Sequence, residues 1–140
     1  MSDTQPFEEI QAPKGVEEEI VSDDSEDNKP AQLTPEEEAL ISIYNGKKAK
    51  TNKNYTEALN EFQKAANLTD DKELQAQSYE GIAEVYAINR KYGTALSFAY
   101  KAYNNSPSSA REMLIAKIYY KAGETDKAIN QMNSVLKREF

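Results

Sequence analysis

Small residues recur at intervals of 37 and 33 positions in this 140-residue chain and constrain its fold more than any other feature. Ala58, Ala95 and Ala128 stand at the same place in three similar segments of the chain. A second small or medium-sized residue follows each of them by seven positions, at Ala65, Ala102 and Val135. Self-similarity with a period of about 35 residues is typical of stacked structural units that share one core. The sequence therefore predicts a repeat architecture.

Cap and turn residues divide residues 34–140 into six predicted helices. Thr34 and Glu37, with a proline between them, form a strong helix start signal, and a second capping box is expected at Asn54 and Glu57. The helices are predicted to span residues 35–51, 55–67, 71–89, 92–104, 108–122 and 125–138. Their short connections favour antiparallel neighbours, and no β-branched residues alternate as in a strand. We expect an all-α fold.

Residues 1–33 differ from the rest of the chain in charge. They hold ten carboxylates and two lysines, a net charge of −8, whereas residues 34–140 hold 14 acids and 15 bases. Dense like charge and three prolines leave too little apolar surface to offset the entropy of ordering, so we predict a disordered acidic tail. Its role is open between a spacer, a docking motif and a competitor for the chain's own binding surface.

Catalysis has little support in the composition. The chain has no histidine and no cysteine, which removes imidazole bases, thiol nucleophiles, disulfides and the usual zinc ligands. Glu80 and Glu84 lie one helical turn apart, as in di-metal bundles, but those sites also need histidine partners. Glycine-rich phosphate loops are absent as well. We predict a protein that is not an enzyme and that holds no metal and no cofactor.

Nucleic acids and membranes are also poor candidates as partners. Residues 34–140 lack a basic field, and the acidic tail would repel phosphate. The chain begins with acidic residues instead of a positively charged leader, and no run of 18 apolar residues occurs. The sequence therefore predicts a cytoplasmic protein without direct membrane insertion.

Other positions of the repeat resemble a known family. Gly46, Ala83 and Ala116 stand twelve positions before the repeated alanines, and Tyr55 and Tyr92 stand three positions before the first two of them. This pattern resembles the tetratricopeptide repeat (TPR), a helix pair of about 34 residues. The resemblance implies a right-handed superhelix of three antiparallel helix pairs, with units near residues 39–72, 76–108 and 109–140. The family's tryptophan is missing, and about three residues are inserted near residues 69–73.

The resemblance also implies a binding surface. In the family, the first helices of the pairs line a concave groove that holds an extended or helical peptide of another protein. The corresponding positions here are Leu40, Ile43, Lys47, Lys50, Gln77, Glu80, Glu84, Ile88, Met113, Lys117, Tyr120 and Lys121. Four of them, Ile43, Ile88, Met113 and Tyr120, are expected to be apolar anchors, and Lys47 and Lys117 are expected to set the register. The surface should have two basic ends and an acidic middle.

Two functions follow from this surface and from the end of the repeat. The first is a protein-binding adaptor or chaperone-like scaffold. Some TPR co-chaperones grip a C-terminal carboxylate with a set of lysine, asparagine and arginine side chains. Lys47 is the only cation at the matching positions of this chain, which are Ile43, Lys47, Gly81, Ala110 and Leu114, and this argues against that class of partner. The alternative is a structural subunit that forms a homo-oligomer through its last helix pair, because no capping helix follows the third unit.

Overall fold

The computed structural model describes residues 31–139, and over this range the chain is all-α, with six helices and no strand. The helices are α1 Pro35–Thr51, α2 Tyr55–Leu68, α3 Lys72–Ile88, α4 Tyr92–Asn105, α5 Ser109–Lys121 and α6 Thr125–Glu139. Their bounds differ from the predicted ones by at most one residue, which confirms the predicted fold class. The predicted tail over residues 1–33 lies almost wholly outside the described residues.

The first helix begins with the predicted capping box. The Thr34 hydroxyl accepts a hydrogen bond from the Glu37 backbone N–H at 3.1 Å, and the Glu37 carboxylate accepts one from the Thr34 N–H at 2.9 Å. Two amides that the helix cannot satisfy internally are thereby paired. Similar caps start α3 and α5, where the side chains of Asp71 and Ser108 accept backbone hydrogen bonds.

The turn inside each helix pair has the same conformation in all three pairs. Lys53, Arg90 and Gly123 have positive φ angles of 64°, 66° and 86°, and their spacing is that of the repeated alanines. In each turn the next backbone N–H donates to a carbonyl five positions back, as the Asn54 N–H does to the Ala49 oxygen at 2.8 Å. This hydrogen-bond pattern is the Schellman motif of helix C-termini. The repeat seen in the side chains is therefore also a repeat of the backbone.

This turn explains why the second predicted capping box is wrong. The Asn54 N–H is already engaged with Ala49, so Glu57 cannot accept it. The Asn54 side chain caps no backbone amide, and its Nδ2 donates to the Glu57 carboxylate at 2.9 Å. The residue types of a capping box are present, but the preceding helix end takes the backbone group that the box requires.

The helices form three pairs that stack in chain order. Within the described residues, α1 packs on α2, α3 on α4 and α5 on α6, while α2–α3 and α4–α5 contacts join successive pairs. The first helices also contact one another, α1 with α3 and α3 with α5, whereas the second helices of residues 31–139 do not. A layer whose first helices are closer together than its second helices is concave on the side of α1, α3 and α5.

The repeated small residues lie at the centres of the pairs. Ala58, Ala95 and Ala128 are fully buried, and the glycine and the two alanines twelve positions before them are buried as well. Aromatic and aliphatic side chains fill the space around these close approaches, with Phe62 at the centre of the first core cluster and Ile115 in the second. The predicted core positions of the repeat are confirmed.

Candidate functional site

A groove of about 640 Å³ lies between α3 and α5 and extends to α6. It is lined by Glu80, Glu84, Ala110, Met113, Leu114, Ala116, Lys117, Tyr120 and Met132. Five of the predicted site residues are among them: Glu80, Glu84, Met113, Lys117 and Tyr120. The groove volume falls within the range of about 300–1,000 Å³ that is usual for ligand sites.

The α5 wall of the groove is apolar and exposed. Tyr120 is 65% exposed and Met113 is 41% exposed, whereas Ile115 and Ile118 of the same helix are buried. Met113, Lys117 and Tyr120 follow one another at intervals of four and three positions, which places them on one face of the helix. This face of α5 therefore combines two large apolar side chains with a cation.

The α3 wall of the groove carries two carboxylates, and both are bound within the chain. Glu84 forms an ion pair with Lys50 of α1, and Glu80 accepts from an Arg111 guanidinium nitrogen at 3.3 Å. These pairs link α3 to the first helices on either side of it. The predicted acidic middle of the surface is present in composition, but each of its carboxylates has a cation as partner.

Arg111 is a buried residue that the sequence analysis did not identify. Its side chain is 7% exposed, and its two terminal nitrogens each donate to one oxygen of Glu73 at 3.0 Å. It also donates to the Ser106 backbone carbonyl at 2.9 Å. A bidentate pair of this kind fixes both groups in one plane. Arg111 therefore links α5 to the start of α3.

This pair has a strong effect on the Glu73 carboxylate. Its hydrogen bonds from Arg111, and secondly those from Ser106 and Gln77, lower the pKa of Glu73 from 4.5 to about 2. The same contact raises the pKa of Arg111. Both groups are therefore charged at neutral pH.

The sequence feature that could have pointed to Glu73 is the insertion near residues 69–73. The inserted residues extend α3 by one turn at its N-terminus, and Glu73 lies in that first turn, 38 residues before the arginine that it binds. The length of the helix could be read from the sequence. The long-range partner of Glu73 could not be identified, because a single sequence does not reveal which surface groups of successive helix pairs contact each other.

The other predicted site residues lie on the first helices but outside the groove lining. Leu40 is 50% exposed, Ile88 is 46% exposed, and Lys47 and Lys121 are exposed as well. Gln77 is half-buried and donates to Glu73 at 3.1 Å. None of these five residues lines the groove.

Ile43 does not belong to this surface, and its expected role as an anchor is corrected. It is 3% exposed and lies in the first core cluster. Ile43 follows Ala39 by four positions and precedes Gly46 by three, and both of these are buried, so all three lie on the inner face of α1. A polar residue at position 43 would disrupt the core and not a binding surface.

Two exposed apolar patches lie at the ends of the stack. On α1, Ile41 is 48% exposed and Tyr44 is 64% exposed, although neither was among the predicted site residues. On α6, Ile129 is 45% exposed and Leu136 is 52% exposed. These patches are the helix faces that would contact a further pair if the repeat continued in either direction.

Metal-binding clusters are not found in the described part of the chain. Within residues 31–139, no three acidic, histidine or cysteine side chains are placed to hold a metal ion together. The groove instead offers exposed apolar side chains with a charged edge on a rigid helical frame. That arrangement is suited to holding another molecule.

None of the helices between residues 31 and 139 is both long and apolar enough to cross a lipid bilayer.

The sequence matches no protein-family model, and neither a curated protein nor a solved structure gives a significant match.

Proposed function

We propose that this chain is a non-catalytic, cytoplasmic protein-interaction module of the tetratricopeptide-repeat type, which binds a peptide or helix of a partner protein in the groove between α3 and α5. Support comes from three features that share the same offsets: the repeated alanines, the small residues twelve positions before them and the Schellman turns at Lys53, Arg90 and Gly123. The closer approach of the first helices also fits a stack with a concave binding face.

The observation that carries the proposal is the exposure of Met113 and Tyr120 in the groove. Burying a large apolar side chain contributes about 1.5–3 kcal/mol, so leaving two of them exposed side by side forgoes stability that the fold could otherwise gain. Aromatic side chains in concave sites are frequent hot spots of protein binding. Both residues sit on a helix whose opposite face is packed into the core, which holds them in place.

The test replaces both anchors and uses an equally exposed residue as control. Met113→Asp combined with Tyr120→Asp should weaken partner binding by more than about tenfold, because the groove loses its apolar anchors. Tyr44→Asp introduces one such charge at a residue that is 64% exposed, against 65% for Tyr120, but lies outside the groove. Quantitative cross-linking in extract of the source cells, with circular dichroism to verify folding, compares the variants. Partners retained equally by all three proteins would refute the groove as the binding site.

A second candidate function is self-association through the last helix pair. Ile129 and Leu136 of α6 are about half exposed, whereas Leu59 and Leu96, which correspond to Ile129 in the first two pairs, pack against the core clusters. A second copy could cover the apolar face of α6. Sedimentation of the full chain tests this alternative, and an assembly that dissociates on Ile129→Asp with Leu136→Asp would favour it over the adaptor.

A further inference from the structure

The pairing of charges around the groove determines what kind of segment fits it. All three carboxylates of α3 are ion-paired within the chain: Glu73 and Glu80 with Arg111, and Glu84 with Lys50. Because the guanidinium of Arg111 is buried, it depends on these carboxylates for its charge partners. The acidic wall is therefore committed to internal contacts.

The cations of the same surface are arranged differently. Lys117 lines the groove, and Lys121 follows it by one helical turn on α5. Lys47 lies one turn before Lys50 on α1. Among residues 31–139, none of these three exposed lysines forms an ion pair with a carboxylate. A ligand that enters the groove thus meets compensated acids on one side and accessible lysines on the other.

From this asymmetry we infer that the groove recognises an apolar segment flanked by carboxylates, an inference that rests on the proposed function. An acidic segment would gain Lys117 and Lys121 without breaking any contact of the fold. A basic segment would have to compete with Lys50 for Glu84 and with Arg111 for Glu80, and would leave a buried arginine partly unpaired. Uncompensated buried charge is strongly unfavourable, so the basic ligand is disfavoured.

The apolar part of the segment is set by the floor and the outer edge of the groove. Met113 and Met132 have flexible thioether side chains that adapt to different apolar shapes. Tyr120 supplies a flat, exposed ring beside them. An apolar side chain between Met113 and Tyr120 places neighbouring carboxylates near Lys117, which lies between these two residues on the same face of α5.

The experiment selects ligands without presuming a sequence. The full chain is used as bait for a displayed library of random peptides, and the enriched peptides are measured by fluorescence anisotropy against four variants. Lys117→Glu and Lys121→Glu reverse the proposed contacts. Lys64→Glu makes the same change of charge on the exposed side of α2 and serves as the control. Tyr120→Asp removes the apolar anchor.

We expect the enriched peptides to combine apolar residues with Asp or Glu. Their affinity should fall by about tenfold on Lys117→Glu and on raising the salt concentration, and should be unchanged by Lys64→Glu. Enriched peptides that are neutral or basic but lose binding on Tyr120→Asp would overturn the acidic specificity and leave the proposed function standing. An absence of enriched peptides, or enriched peptides indifferent to Tyr120→Asp, would overturn both.

Discussion

The phenyl ring of Phe62 occupies the space that a side chain at Gly81 would need. A β-carbon added at Gly81 would lie 2.5 Å from the ring Cε1 and 2.6 Å from Cε2, closer than carbon atoms can approach. Gly46 meets the same ring from α1, where an added β-carbon would lie 2.8 Å from Cδ1. Phe62 of α2 thus lies between two glycines of different helix pairs. The packing of the first helix pair on the second, called the first joint below, is centred on this ring.

Gly81→Ala should destabilise the protein because the added methyl group overlaps the ring. Overpacking of a rigid core typically costs about 1–3 kcal/mol. Gly93 is the matched control, since it also lies in a helix but has nothing within 4 Å of an added β-carbon. Gly93→Ala should stabilise by at most about 0.5–1 kcal/mol through helix propensity, because Gly93 lies in the first turn of α4. Urea denaturation of both variants measures the two effects, and equal shifts in the same direction would contradict the Phe62 contact.

At the second joint, where the second helix pair packs on the third, the large and the small residue have exchanged helices relative to the first joint. Ala99 takes the place of Phe62 in the next repeat and is fully buried, while Leu114 takes the place of Gly81 and packs on the second core cluster. The large residue thus belongs to the second helix at one joint and to the next first helix at the other. Either arrangement fills the joint, because total volume and apolar character matter most in a core.

Exchanging the two arrangements is therefore a direct test of this equivalence. Phe62→Ala alone should cost about 3–5 kcal/mol because it leaves a cavity. Gly81→Leu alone should prevent folding or destabilise at least as much. The double variant, which copies the pair found at the second joint, should recover a substantial part of the loss. Its free energy of unfolding from urea titration decides the matter, and a double variant as unstable as the sum of the single ones would refute the equivalence.

The turn residues with positive φ provide another prediction. Lys53 and Arg90 adopt the left-handed conformation at φ of 64° and 66°, where the third turn has Gly123. A residue with a β-carbon is strained by about 1–2 kcal/mol in this conformation. Glycine removes the strain, but part of the gain is offset because glycine raises the conformational entropy of the unfolded chain. Lys53→Gly and Arg90→Gly should each raise the unfolding free energy by about 0.5–1 kcal/mol. Lys64→Gly, within α2, should instead lower it by about 1 kcal/mol, and thermal unfolding distinguishes these outcomes.

The helix ends and turns show which features of the fold can be predicted from the sequence alone. Helix bounds were predictable to within one residue because caps, prolines and turn residues act locally. The burial of the repeated alanines was predictable because the period places them at equivalent points. The Asn54 capping box failed because the end of the preceding helix claims the amide it needs. Both local patterns are present at Asn54, but the end of α1 and the capping box require the same backbone N–H group.

The candidate site was less predictable than the fold for a physical reason. The family pattern placed Met113, Lys117 and Tyr120 together because they share one helix face, and the structure brings them into one groove. The prediction that Ile43 faces the groove was wrong because only a small rotation about the helix axis separates the buried face of α1 from its exposed edge. The pairing of Glu73 with Arg111 joins residues 38 positions apart, and no local pattern encodes such a contact.

The Glu73 pair gives the stability of the protein a defined dependence on acid. The pKa of Glu73 is lowered from 4.5 to about 2 in the folded protein, so the pair stabilises fully above pH 4.5 and its contribution is lost as the pH falls toward 2. Glu73→Gln should remove that part of the slope of unfolding free energy against pH. Arg111→Met should remove most of it, because Ser106 and Gln77 still donate to Glu73, and the double variant should remove no more than Glu73→Gln alone. Urea titrations across this pH range provide the measurement, and an unchanged slope in both single variants would contradict the assignment.

The two tyrosines at the second joint predict the opposite behaviour in alkali. The hydroxyls of Tyr100 and Tyr119 lie 3.0 Å apart, and burial, followed by this hydrogen bond, raises the pKa of Tyr100 from 10 to about 12. Because the folded protein holds the proton more tightly than the unfolded chain, this stabilisation is complete below pH 10 and is lost as the pH rises toward 12. Tyr100→Phe should remove this alkaline decline at the cost of one hydrogen bond, about 1 kcal/mol at neutral pH. Tyrosinate absorbance, followed with unfolding free energy from about pH 9 to 12, tests both parts, and a decline that persists unchanged in Tyr100→Phe would assign it to another group.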